Sequence, residues 1–144
     1  EREDFLSAFD NNCPEKSKTL VAFCIMGGIF GEGIDLKNDS LIGAIVVGTG
    51  LPQISNERTI LKDYYDDING SGFDYAFRYP GINKVLQAAG RVIRTTEDYG
   101  IILLLDERFW QRDYDMLYPR EWSDRRPCNI DNVQRLIADF WENI

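Results

Sequence analysis

A glutamine and two arginines are spaced so that a helix would place them on one face. The octet at 87–94 has the form Q-x-x-G-R-x-x-R, with Gln87, Arg91 and Arg94 at positions i, i+4 and i+7. Helical residues at these spacings project from the same side. Guanidinium groups are planar, permanently charged donors that match phosphate oxygens. The pattern therefore predicts a phosphate-binding surface, with an ordinary solvated helix face as the alternative.

A glycine-rich loop lies upstream of this octet and carries two carboxylates. Residues 19–26 form a continuous apolar run, which is typical of a strand buried on both faces of a parallel sheet. Four glycines follow within residues 27–33, and Glu32 and Asp35 stand three residues apart. Such a loop at the carboxyl end of a strand is where open α/β sheets bind ligands. Its alternative is a tight turn with solvated acids.

Further elements are expected to position these residues. Apolar runs predict strands at Leu41–Val47 and Gly100–Leu105. Because helical patterns separate the strands, we predict an α/β fold with a parallel sheet flanked by helices. The loops after the first two strands and the arginine-bearing helix are then expected to converge on one edge of the sheet. The helices are predicted at Asn56–Ile68, Tyr79–Thr95 and Asp131–Trp141.

These segments together resemble a known family of proteins. Residues 27–36, GGIFGEGIDL, resemble helicase motif V, and residues 87–94, QAAGRVIR, resemble motif VI. Residues 45–52, and the run from Asp98 through Phe109, are similar to the DinG/XPD-type branch of DNA helicases. The resemblance covers about residues 5–120 and implies a RecA-like fold. The chain is identified as a partial second, C-terminal motor domain of such a helicase.

The resemblance implies ATP-driven DNA unwinding in a cleft between two RecA-like domains. It implies that the first domain of the same polypeptide holds ATP with magnesium, and that single-stranded DNA is a partner. By motif match, Arg91 and Arg94 reach the γ-phosphate as catalytic arginines. An iron–sulfur cluster is possible elsewhere in the full-length protein. The positions that match nucleotide-binding residues are Gln87, Gly31, Glu32, Gly33 and Asp35.

The chain also departs from a complete helicase. It has no G-x-x-x-x-G-K-[ST] phosphate loop, no D-E-A-H-like segment, no histidine and no cysteine quartet for a cluster. We therefore expect a single domain at 1–144, with a helical tail from about residue 109, that is inactive alone. The alternatives are a catalytically silent interaction module of RecA-like fold and a nucleotide-binding α/β protein of another kind.

Composition limits the remaining possibilities. The net charge of −8 argues against DNA binding by this domain through bulk electrostatics. Arg78, Lys84, Arg91 and Arg94 nevertheless form a local basic stretch. Three cysteines without paired spacing favour reduced thiols in the cytoplasm and make a metal site in this chain improbable. No apolar run reaches the roughly 20 residues of a membrane span.

Overall fold

The computed structural model describes Asp4, Ser7, Phe9 and the ranges 19–28 and 41–144. Its sheet is a parallel pair formed by β1 (Gly43–Val47) and β2 (Ile101–Leu105). The register pairs the first residues of the two strands with each other and the last residues with each other. The predicted α/β class, with a parallel sheet and flanking helices, is confirmed. Both strands lie within two residues of their predicted bounds.

The connection between the strands begins with α1 (Asn56–Asn69), one residue longer than predicted. Its first turn is capped because the Ser55 hydroxyl accepts a hydrogen bond from the Arg58 amide at 3.3 Å. Its last turn ends at Gly70, whose φ of 70° is left-handed and favours glycine. Both ends of α1 are therefore fixed by local sequence.

A second helical segment crosses back beside the sheet. A π-helical turn at Asp74–Arg78 continues into α2 (Tyr79–Ala89). Near the start of α2, a β-carbon on Gly81 would lie 2.7 Å from the Thr49 carbonyl oxygen, closer than contacts normally allow. Glycine at this position therefore lets the backbone of α2 touch the loop that follows β1.

The helix predicted at Tyr79–Thr95 is too long, because α2 ends at Ala89. The amides of Arg91 and Val92 bond three residues back, at 3.2 and 3.0 Å, which tightens the chain into a turn. The backbone amides of Arg94 and Thr95 then donate to a side chain, as described below, instead of to helical carbonyls. The helical spacing of apolar residues in the sequence extends past the end of α2, because Val92 in the following turn is also buried. This spacing is the reason the predicted helix is too long.

The tail after β2 consists of short helical segments that close over the core. The Tyr118 hydroxyl donates to the Phe109 carbonyl at 2.7 Å, and the rings of Phe109 and Tyr114 meet edge to face. The core cluster of Val46, Ile82, Val85, Phe109 and Tyr114 therefore joins sheet, α2 and tail. The tail segments are a 3₁₀ turn at Glu107–Trp110, α3 (Arg112–Asp115), a 3₁₀ turn at Arg120–Trp122 and α4 (Val133–Glu142).

The buried strand predicted at residues 19–26 is not present. Residues 19–25 adopt no strand, and side chains such as Phe23 and Ile25 are 97% and 84% exposed. In the described part of the chain the sheet consists of β1 and β2, and residues 19–25 pair with neither strand. Met26 is the exception, since it packs against the core cluster.

Candidate functional site

The three side chains of the Q-x-x-G-R-x-x-R octet lie at and beyond the end of α2. Gln87 is exposed on the last turn of the helix, Arg91 is half-buried in the turn that follows, and Arg94 is exposed past that turn. The expectation that all three project from one helix face is wrong, because the helix stops before Arg91. A compact turn, which we call the arginine turn (residues 90–95), presents the two guanidinium groups instead.

The backbone of the arginine turn is held by Asp98. One oxygen of its carboxylate, Oδ2, accepts hydrogen bonds from the amides of Arg94 at 2.8 Å and Thr95 at 2.7 Å. These bonds, the one from Arg94 first, hold the pKa of Asp98 below its ordinary value of 3.8. The carboxylate is therefore ionised at neutral pH and fixes the chain at Arg94. Sequence reasoning missed Asp98, although a Thr and an Asp spaced for a local side-chain turn are the signal for it.

The arginine turn lies at the amino ends of the two strands. A β-carbon on Gly100, just before β2, would lie 2.2 Å from a methyl carbon of Val92 and 3.0 Å from the Ile42 carbonyl, just before β1. Glycine at position 100 therefore lets Val92 seat the turn against the sheet. The position of the turn is set by packing at Val92, while Arg91 on one side of it is half-buried and Arg94 on the other side is exposed.

The glycine-rich loop begins at the other end of β1. A β-carbon on Gly27 would lie 3.3 Å from Cε of Lys84 in α2, and one on Gly50 would lie 2.9 Å from the Met26 sulfur. The start of this loop therefore meets both α2 and the loop after β1, as predicted for the convergence of these segments. The arginine turn does not join them, because it lies at the opposite ends of the strands. Gly31, Glu32, Gly33 and Asp35 lie outside the described residues.

The loop after β1 contains a buried hydroxyl. Thr49 is 1% exposed, and its Oγ1 has no hydrogen-bond partner among the residues that the structure describes. It stands between Gly48 at φ 82° and Gly50 at φ 68°. Both glycines adopt the left-handed conformation that other residues avoid. The loop is thus a tightly turned segment at the carboxyl end of β1. The start of α2 packs against it in space, through Gly81.

The carboxylate at the end of β2 has a structural role. Arg108 donates from Nε to Asp106 Oδ1 at 2.8 Å and from Nη2 to Oδ2 at 2.7 Å, which makes a bidentate ion pair. The hydrogen bonds from the Arg108 side chain are the main cause of the lowered pKa of Asp106. Asp106 also accepts from the Arg108 amide at 2.9 Å and so caps the 3₁₀ turn that carries Phe109. Both carboxylate oxygens of Asp106 therefore accept hydrogen bonds inside the fold.

The basic stretch seen in the sequence is not a continuous basic surface. Arg78 forms ion pairs with Asp74 and, at 3.0 Å, with Asp113 of α3. Its guanidinium also lies over the rings of Phe73 and Tyr114, with the carbon 5.4 and 5.5 Å from the ring centres. Arg78 therefore fastens the tail to the π-helical turn, and its guanidinium is engaged within the fold.

Metal-binding clusters and membrane-spanning helices can be assessed in the residues that the structure describes. Among them, no cluster of three or more Cys, Asp or Glu side chains has an arrangement that could hold a metal ion. Within the same ranges no helix is long and apolar enough to cross a membrane.

Comparison with known proteins identifies the family. The model of the helicase C-terminal domain matches residues 1–125. Regulator of telomere elongation helicase 1 of Homo sapiens is 32% identical over 131 residues, which cover 84% of this chain and 10% of that protein. Its homolog in Caenorhabditis briggsae is 35% identical over 133 residues, covering 85% of this chain and 13% of that protein.

A homolog in Drosophila melanogaster, 34% identical over 141 residues, covers 88% of this chain and 14% of its own length. The chain thus spans between 10% and 14% of the length of these relatives. The match extends across the octet, the strands and the start of the tail, and it confirms the resemblance to a C-terminal helicase domain and the fold class that the resemblance implies. The chain belongs to the helicase C-terminal domain family.

Proposed function

We propose that this chain is the second motor domain of an ATP-dependent DNA helicase of the DinG/XPD type. Arg91 and Arg94 contact the outer phosphate of an ATP held by the first RecA-like domain of the same polypeptide, and Gln87 contacts the same nucleotide. The observation that carries the proposal is the arginine turn: two arginines three residues apart in a helicase C-terminal domain, one half-buried and one exposed, on a backbone that Asp98 holds at Arg94.

The chemistry of phosphoryl transfer suits these side chains. Negative charge spreads over the equatorial oxygens of the transferred phosphoryl group, and arginine donors stabilise that charge. An arginine from a partner domain reaches the phosphate only when the cleft between the domains closes. Because its backbone is fixed, Arg94 is presented in a restricted orientation, which lowers the entropy lost on reaching the phosphate.

The side chains present fit the outer end of a nucleotide and not the whole of it. The arginine turn supplies cationic donors, while the described residues contain no metal-binding cluster. By the resemblance to two-domain helicases, the magnesium ion and the cradle for the remaining phosphates are assigned to the first domain. Gly31, Glu32, Gly33 and Asp35 are assigned to nucleotide and DNA contacts by their match to motif V.

Single-stranded DNA is proposed as the second partner. With a net charge of −8, this domain is expected to contribute local contacts to a groove whose positive charge comes largely from the rest of the polypeptide. An iron–sulfur cluster elsewhere in the full-length protein and a cytoplasmic location stay predictions.

The test compares the isolated chain with the full-length helicase. The purified 144-residue protein is expected to bind ATP weakly and to hydrolyse none measurably. In the full-length helicase, Arg94→Lys is expected to reduce both DNA-stimulated ATP hydrolysis and unwinding. The lysine ammonium keeps the positive charge but cannot donate two parallel hydrogen bonds to a phosphate, as a guanidinium can.

Asn83→Ala, an exposed change on α2, the helix that precedes the arginine turn, serves as the control and is expected to keep both activities. Metal-dependent hydrolysis by the isolated chain would overturn the division of roles between domains. A full-length protein that binds DNA but hydrolyses no ATP would favour the catalytically silent module instead.

A further inference from the structure

One face of α1 carries a row of apolar side chains that the domain does not cover. Ile60, Tyr64 and Ile68 stand at i, i+4 and i+8 and are 70%, 59% and 58% exposed. Scattered exposed apolar residues are ordinary, but a helical row of this kind forms a ridge about 12 Å long. Ridges of residues four apart are the surfaces that pack into the grooves of another helix. We call this row the α1 ridge.

The α1 ridge is held facing outwards by contacts on the opposite side of the helix. Arg58 donates from Nη1 to the Ala76 carbonyl at 2.9 Å, and the rings of Tyr65 and Tyr75 stack with centres 3.9 Å apart. These contacts fasten α1 to the π-helical turn. Because the helix is also capped at both ends, it cannot rotate to bury the ridge, which remains a preformed surface.

The charges beside the α1 ridge are negative. On a helical wheel, Glu57, Asp63 and Asp67 lie within or beside the ridge, and all three are exposed. The lysine of this helix is engaged elsewhere, because Lys62 pairs with Asp66 at 2.6 Å. In the described part of the chain, no cation forms an ion pair with Asp63 or Asp67. The ridge is thus an apolar row bordered by carboxylates.

We propose that the α1 ridge docks a basic amphipathic helix of a partner protein. Apolar side chains of that helix pack between Ile60, Tyr64 and Ile68, and its lysines and arginines face the carboxylates. Tyr64 is the central anchor, since tyrosine is among the residues that most often dominate binding energy, and its ring already rests edge to face on Tyr65 at 5.3 Å.

This surface is separate from the nucleotide site proposed above. The α1 helix contacts the π-helical turn around Ala76, whereas Gln87 lies eleven residues further along that helical segment. At a rise of 1.5 Å per residue the separation is about 16 Å. Changes in the α1 ridge therefore leave the arginine turn untouched.

The test is a binding titration with two synthetic probes of equal length and equal leucine spacing. One is an 18-residue amphipathic helix with lysines beside its leucines, and the other carries glutamates in place of the lysines. Fluorescence anisotropy is measured with the 144-residue protein and with the full-length helicase. We expect both proteins to bind the lysine probe and neither to bind the glutamate probe.

Variants separate the ridge from general stickiness. The pair Ile60→Gln and Tyr64→Gln is expected to weaken binding of the lysine probe about tenfold or more. The control pair Ile130→Gln and Ile144→Gln removes exposed apolar side chains elsewhere and is expected to change nothing. Circular dichroism checks that both pairs keep the helical content.

The charge component has its own variants. Asp63→Asn with Asp67→Asn is expected to weaken the lysine probe and to flatten the dependence of its affinity on salt. Asp139→Asn with Glu142→Gln removes two exposed charges from α4 and serves as the control.

Three results would overturn the proposal. The first is equal binding of the lysine probe to the ridge pair and the wild type. The second is binding by the isolated chain and not by the full-length helicase, since another part of the same polypeptide would then cover the ridge. The third is self-association in light scattering that Tyr64→Gln abolishes, because the occupant would then be a second copy.

Discussion

At the scale of single residues, the Asp98 carboxylate decides how Arg94 is presented. It accepts hydrogen bonds from the backbone amides of Arg94 and Thr95, which lie beyond the end of α2. Asp98→Ala in the full-length helicase should therefore lower kcat, by up to about 100-fold, because a catalytic group displaced by an ångström can lose that much. Steady-state hydrolysis with a separate measurement of the KM for ATP checks the change.

Glu97→Gln is the matched control for Asp98→Ala. Glu97 is the neighbouring exposed acid, and its side chain does not hold the arginine turn. A kcat that falls equally in the two variants would mean that the loss of negative charge matters and the turn geometry does not.

The titration of Asp98 gives a second prediction at the same scale. Its pKa is lowered in the folded state, chiefly by the Arg94 amide, so its stabilising contribution is complete above the ordinary value of 3.8. That contribution is lost as the pH falls through the lower folded value. Asp98→Asn should therefore reduce the Tm by the same amount at pH 7 and pH 5. The difference between the two proteins should shrink below pH 3.8. A difference that changes between pH 7 and pH 5 would contradict this assignment.

At the scale of elements, the meeting of α2 with the loop after β1 depends on glycine. Gly50 has a left-handed φ of 68°, and a β-carbon there would lie 2.7 Å from the Gly81 carbonyl. Gly48 has a similar φ of 82° with nothing within 4 Å of that position. Gly48→Ala should thus cost only the conformational strain, about 1–2 kcal/mol of unfolding free energy. Gly50→Ala should cost about 1–3 kcal/mol more, through the clash. Urea unfolding of the two variants measures the difference, and equal midpoints would refute the close approach.

The elements also show what sequence can and cannot predict. Strands β1 and β2 and helices α1 and α4 were predicted within two residues, since each has a strong local pattern and, in α1, clear capping residues. The end of α2 was not, because Val92 keeps the apolar spacing while Asp98, four residues beyond Arg94, takes the backbone donors. The strand predicted at 19–26 is absent, because an apolar run alone does not specify the backbone pairing that a strand requires. At the site, the residue types were predictable and their placement on a turn was not.

The tail offers a prediction that depends on how the whole domain closes. Burial of the Tyr118 hydroxyl raises its pKa to about 12 from 10.0. Because the folded pKa is the higher one, the contribution of this group to stability is complete below pH 10 and is lost as the pH rises towards 12. Tyr118→Phe should cost about 1 kcal/mol at neutral pH, through the lost bond to the Phe109 carbonyl.

The same substitution should remove the part of the alkaline loss of stability that Tyr118 causes. Urea midpoints at pH 8, 10 and 11 for wild type and Tyr118→Phe check both expectations. Tyr99→Phe, at an exposed tyrosine outside the tail, is the control. In this variant the urea midpoint should fall between pH 8 and pH 11 as much as it does in the wild type. If the urea midpoint of Tyr118→Phe falls between pH 8 and pH 11 as much as that of the wild type, the alkaline loss of stability does not come from Tyr118.

At the scale of the molecule, the parts of the site are distributed over two ends of the sheet. The arginine turn lies at the amino ends of the strands, and the described start of the glycine-rich loop lies near the carboxyl end of β1. In the described residues, the start of the glycine-rich loop and the arginine turn therefore do not meet at one edge of the sheet. The chain belongs to the helicase C-terminal domain family and spans 10% to 14% of the length of the relatives described above.

The most direct measurement is the steady-state hydrolysis of ATP by full-length helicase carrying Arg91→Ala or Arg94→Ala, with single-stranded DNA present. We expect kcat to fall on the order of 10³–10⁵-fold while the affinity for ATP changes little, since the arginines act where charge develops in the transition state. Asn83→Ala is the matched control, and a thermal melt confirms folding. Well-folded arginine variants that keep a kcat near that of the wild type would contradict the role of the arginine turn.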